Sequence, residues 1–130
     1  MLLEALIAIL IFSMGVLAIV GMQAAAVKSS SDAKFRADAS LLANELIGQM
    51  WVSDRTTAAL QTKFNSPGGA AYADWLTNVQ TRLPGVTASA NTPTVTVAAN
   101  GTVTIGLLWK LPSDPPEMAA HTYVAVAQIQ

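Results

Sequence analysis

From Ala5 to Val27 the chain is apolar or small apart from Gln23 and carries no charge, and after Lys28 the pattern becomes a one-sided stripe. The opening run is Met1-Leu-Leu-Glu4-Ala-Leu-Ile-Ala-Ile-Leu-Ile-Phe-Ser-Met-Gly15-Val-Leu-Ala-Ile-Val-Gly21-Met-Gln-Ala-Ala-Ala-Val27, with Glu4 as its single charged residue. Such a run exceeds the roughly 20 residues needed to cross a ~30 Å hydrocarbon layer, and predicts a membrane helix. A cleavable signal peptide would have a basic leading region and a shorter apolar core. A buried core helix would need a domain large enough to cover it on all sides.

Helical character continues beyond the run. Residues 28–54 hold no proline and one glycine, Gly48, and are rich in good helix formers. Phe35, Leu42, Leu46 and Met50, with Ile47 and Trp51 beside them, form an apolar stripe at helical spacing. Lys28, Asp32, Lys34, Arg36 and Asp38 fall mostly off it. One helix over residues 2–53 would be roughly 80 Å long, apolar all round in its first half and amphipathic in its second.

The remainder changes period. Thr56 to Phe64 predicts a short helix, and Asn65-Ser-Pro-Gly-Gly69 breaks the chain. Ala70 to Leu83 predicts another helix, with Tyr72, Trp75, Leu76 and Val79 on one side and Pro84-Gly85 as its stop. Thr94–Val97, Thr102–Trp109 and Thr122–Gln128 alternate or are β-branched and predict strands, with Val86–Ala90 as a further edge strand. Asn100-Gly101 marks a hairpin. A three-residue loop, Ala99 to Gly101, sets Val97 opposite Val103 and Val95 opposite Ile105, so that one face is apolar; Gly101 is then left-handed in a G1 bulge. Residues 111–121 contain three prolines and are expected to form a loop.

These elements predict an α+β protein in which a long N-terminal helix packs against a small antiparallel sheet. Its parts are residues 1–27 (membrane half of the helix), 28–54 (amphipathic half), 55–85 (a connecting region with a short helix) and 86–130 (the sheet). Trp51, Trp75 and Trp109 are expected in the core or at its boundary.

Composition narrows the chemistry. The chain has 130 residues, a net charge of −1 and 12% charged residues, so no basic surface suggests nucleic acid. A mean hydropathy of +0.44 follows from the N-terminal run. Cysteine is absent, which excludes disulfides and thiolate metal sites. His121 is the one histidine, so neither a histidine-based triad nor a multi-histidine metal site is possible, and it is expected at the surface. Asp114 and Glu117 are expected in a solvated loop. Gly68-Gly69 lacks the lysine and spacing of a phosphate loop. No enzyme activity, metal or cofactor is expected.

Two features of the run invite function. A carboxylate at the bilayer centre costs about 2.5–3.5 kcal/mol, and less near the edge, so Glu4 wants a partner. In the first helical turn it also meets unsatisfied N–H groups and the positive end of the helix dipole. Gly15 and Gly21 each weaken a helix by about 1 kcal/mol relative to alanine. They mark either a close-packing face or a point of helix flexibility, or they reflect the frequency of glycine in membrane helices.

Leu2-Leu3-Glu4-Ala5-Leu6-Ile7-Ala8-Ile9-Leu10, followed by Gly15, Val16, Leu17, Ala18 and Gly21-Met22-Gln23, resembles the N-terminus of the type IV pilin superfamily. The pattern is most similar to the minor pilins of the PilV type, also called pilus modification proteins. The resemblance covers about twenty-five residues, and the helix, connecting region and antiparallel sheet follow the pilin layout. It implies a minor pilin that takes part in priming pilus assembly or in a tip complex. Its implied partners are other minor pilins and the major pilin through the N-terminal helix, inner-membrane lipid before assembly, and a tip adhesin as a further candidate. It also implies a single pass through the bacterial inner membrane with the globular part periplasmic, and later residence in an extracellular pilus.

Pilins are made with a short basic leader, cut after a glycine, and often methylated on the new amino terminus. Neither that leader nor that glycine is in this sequence. The family glutamate is usually the fifth mature residue; here it is the fourth, so processing is inferred. Lys28, Lys34 and Arg36 alone would favour a cytoplasmic C-terminal side, and only the resemblance turns the domain outward. The resemblance gives Glu4 the role of neutralising the amino terminus of a neighbouring subunit, since two well-paired charges cost less to desolvate together than apart. Two alternatives remain: a minor pseudopilin of a type II secretion system, and a single-pass anchored binding domain that never polymerises.

Overall fold

A computed structural model describes residues 1–129. The elements are α1 (Leu2–Trp51), α2 (Thr57–Phe64), α3 (Ala70–Arg82), β1 (Thr94–Val97), β2 (Thr102–Trp109) and β3 (His121–Gln128). The fold is α+β, a long N-terminal helix apolar over its first half plus a three-stranded antiparallel sheet. The chain divides into two compact units, Met1–Lys34 and Phe35–Gln130, later than the composition change at Lys28.

In the second unit the stripe on α1 becomes the floor of a core. Ala39, Leu42, Ala43, Leu46 and Met50 are fully buried in one cluster with Leu60 and Phe64 of α2 and Tyr72, Trp75 and Val79 of α3. The sheet contributes Val95, Val97, Val103, Ile105, Leu107 and Trp109 to the same cluster. Phe35 and Ile47 are partly buried against it. The cover over the stripe is therefore shared between the sheet and two helices. Trp75 Nε1 donates to the Leu42 carbonyl at 2.9 Å, fastening α3 to α1. Trp109 is buried, whereas Trp51 is 46% exposed at the helix end.

Two helices, α2 and α3, occupy the connecting region. Helix α3 ends at Leu83, whose N–H donates to the Val79 carbonyl, because Pro84 disfavours further helical backbone before it. Tyr72 donates to the Pro93 carbonyl at 2.8 Å, and burial pushes its phenol above the ordinary tyrosine value. In front of α2, Asp54 accepts the Thr56 N–H, which holds its carboxyl below the usual carboxylate range.

The sheet order is β1-β2-β3. Val97 pairs with Val103 and Val95 with Ile105, and Gly101 has φ +79°. Gly101 N–H donates to Ala98 O at 3.0 Å, closing the expected three-residue loop. No strand forms over Val86–Ala90. Thr87 Oγ1 instead takes the N–H groups of Ser89 and Ala90, and Thr87 N–H donates to Ala90 O. A hydroxyl that satisfies nearby backbone donors competes with ladder formation, and here the turn wins.

The loop before β3 is also not a loose solvated arch. Asp114, expected in solvent, is buried, and its Oδ2 accepts the Leu111 N–H at 2.9 Å. The same oxygen lies 3.0 Å from His121 Nε2, and the histidine ring stacks on Trp109 with a centroid distance of 5.6 Å. Lys110 Nζ donates to the carbonyls of Pro116 and Met118. His121 is thus the first residue of β3, paired with Trp109, and not a plain surface residue.

Candidate functional site

The first compact unit is bare helix. Every residue from Met1 to Ser30 is exposed, and this is the one helix among the described residues long and apolar enough to cross a membrane. Its backbone is compatible with an apolar solvent. The i→i−4 ladder begins with Ala5 N–H donating to Met1 O at 3.1 Å, so peptide groups beyond the first turn are satisfied within the helix. The one hydroxyl of the run is satisfied too, because Ser13 Oγ donates to the Ile9 carbonyl at 2.7 Å.

Glu4 lies in the first turn and is exposed. No side chain among the described residues bonds to it. It sits beside the free N–H groups at the helix start, where a carboxylate is favoured. The next charge is Lys28, so the charge-free interval is about 36 Å long at 1.5 Å per residue. That interval is slightly longer than a ~30 Å hydrocarbon layer, and the two charges bracket the apolar half of α1.

Gly15 and Gly21 are both inside unbroken helix, and a Cβ built on either meets nothing within 4 Å. Neither glycine is required by packing within this chain. Six residues apart, they point about 120° apart around the axis, so the two do not form one contact ridge for a single neighbour. Phe12, Ser13, Val16, Leu17 and Val20 line a shallow apolar groove of about 300 Å³ on the same stretch. Glu4, Gly15 and Gly21 are thus displayed along one exposed rod and are not brought together into a pocket.

Chemically, this arrangement can partition into lipid or pack against other apolar helices, and it offers one carboxylate for pairing with a cation. The clasp of Asp114, His121 and Trp109 was not foreseeable as a unit. Its members are separated in sequence, and the available signal was parity alone, which sets Trp109 opposite the start of the last strand. Comparison with protein-family models, curated proteins and solved structures finds no match to this chain.

Proposed function

We propose that this chain is a minor pilin, held in the inner membrane by the first half of α1 until it exchanges lipid for neighbouring pilin helices. The carrying observation is a single helix, Leu2–Trp51, that is fully exposed and apolar at one end and forms the floor of a folded core at the other. A rod of this kind needs an apolar solvent on every side, and either lipid or a bundle of like helices supplies it.

In this proposal Glu4 pairs with the amino terminus of an adjacent subunit, which removes a carboxylate from an apolar environment where it would otherwise stand alone. Gly15 and Gly21, opening different sides of the rod, suit a helix surrounded by several neighbours. The globular unit then lies outside the inner membrane and makes partner-specific contacts with other minor pilins, the major pilin or a tip adhesin. No catalytic step is assigned to it.

The test is to replace Glu4 by alanine and by lysine, then count surface pili and probe sheared filaments for the chain. The expected result is loss of incorporation in both variants with membrane insertion retained. Unchanged piliation and unchanged incorporation overturn the role of Glu4. A full-length chain found only in the membrane fraction while pili are made overturns the minor pilin itself.

A further inference from the structure

The two edges of the sheet differ. The edge at β1 is sealed by side chains and backbone from the end of α2 and the turn after it. Ser66 N–H donates to Val95 O and Val95 N–H to Ser66 Oγ, both at 3.0 Å. Val97 N–H donates to Asn65 Oδ1 at 2.8 Å, and Gln61 Nε2 donates to Val97 O at 2.9 Å.

The edge at β3 has no such cover among the described residues. Ile129 N–H donates to Gly101 O, toward β2, so alternation along the strand turns the backbone groups of Thr122, Val124, Val126 and Gln128 to the free side. The strand is eight residues long, pairs with β2 without a bulge, and contains no proline, lysine, arginine or carboxylate. These are the devices that usually blunt an open edge. Val124 and Val126 are exposed at 56% and 65% on its outer face. The inward residues Tyr123 and Ala125 are only partly buried.

We propose that β3 is a self-association edge, at which two copies of this chain join β3 to β3 antiparallel about a two-fold axis at Ala125. Sequence and register select this occupant. In a second copy the β1 edge is sealed, so β3 is the edge it can offer. The hydrogen-bonded pairs must join outward-facing residues, which restricts pairing to Thr122, Val124, Val126 and Gln128. Centring on Ala125 uses all four. Val124 then lies opposite Val126 of the second copy, and Thr122 opposite Gln128. The two exposed valines of each copy cover those of the other, and roughly eight N–H···O bonds form across the axis. No like charges meet, because the strand carries none. The inference concerns residues 121–129 and does not depend on the proposed pilus role.

The chain has no cysteine, which allows a direct test on the full-length protein in detergent or lipid vesicles. Ala125 would face itself in a non-hydrogen-bonded pair with Cα atoms about 4.5 Å apart, inside the range a disulfide bridges. Ala125→Cys is expected to form a disulfide-linked dimer under mild oxidation about ten times faster than Ala127→Cys or Thr96→Cys, which do not face themselves. Adding Val124→Lys and Val126→Lys to Ala125→Cys sets lysines opposite lysines and is expected to return the rate to the Thr96→Cys level. In the unmodified chain, amide exchange at Val124 and Val126 is expected to slow as concentration rises. Equal rates for the three cysteine variants, a rate unmoved by the lysines, or concentration-independent exchange overturns the proposal.

Discussion

Residues 5–27 and residues 35–51 belong to one helix, yet the first stretch buries nothing and the second buries five residues completely. Their backbones satisfy themselves in the same way. What differs is the angular distribution of apolar side chains. In the second stretch Ala39, Leu42, Ala43, Leu46 and Met50 recur on one face, and α2, α3 and the sheet can close over it. In the first stretch apolar groups point in every direction, and no single layer of a small domain could cover them. A helix by itself thus says little about its surroundings. The angular width of its apolar surface says whether the chain can supply its own cover or must obtain it from outside.

The sharpest way to break this contrast is to truncate one leucine in each stretch. Leu46→Ala is expected to destabilise the folded unit by about 2–5 kcal/mol, because it leaves a cavity in a closed core. Leu10→Ala is expected to leave that stability unchanged. Denaturant unfolding of the full chain in detergent, followed by tryptophan fluorescence, reads both; equal losses would contradict the division into a self-covered and an uncovered half.

A smaller effect is expected at the clasp. Asp114→Ala leaves the Leu111 N–H and His121 without their shared acceptor, at a cost of about 1–3 kcal/mol in the same unfolding measurement. A wild-type midpoint would show that the loop before β3 is solvated after all. The smallest effect on the chain alone is expected at the glycines. Gly15→Ala and Gly21→Ala should each raise helix stability by up to about 1 kcal/mol, since the added methyl meets nothing. Thermal loss of helical circular dichroism in detergent would show the gain. Reduced recovery of the same variants in sheared filaments would show that neighbouring helices approach closely at these positions.

Much of this was legible in the sequence where one local rule acted alone. The long apolar run, the stripe through Leu42, Leu46 and Met50, and the proline and glycine stops each fix an element without help from distant residues. The hairpin was legible in more detail, since only a three-residue loop keeps Val95, Val97, Val103 and Ile105 on one face. Where a local polar group competed with the pattern, reading by pattern failed. Val86–Ala90 has strand-like composition, but Thr87 captures the backbone donors that a strand would have used. Asp114 looked solvated because its loop is polar and proline-rich. Its burial depends on Trp109 and His121, which only the paired strands bring together. Of the candidate site, the identities of Glu4, Gly15 and Gly21 could be read directly, because each is an exception in a uniform run. That the two glycines face different sides follows from helical geometry and becomes visible only once the helix is known to be unbroken.

The charge-free interval between Glu4 and Lys28 has a mechanical consequence. At about 36 Å against a hydrocarbon thickness of about 30 Å, the rod has roughly 6 Å of slack. Set across a bilayer, it would be able to lean, or rise and sink by that distance, without drawing either charge into the acyl chains. Under the proposed pilin role, a subunit tethered in this way would be free to adjust its height to a neighbour, and its extraction would meet electrostatic resistance only once the slack was used up.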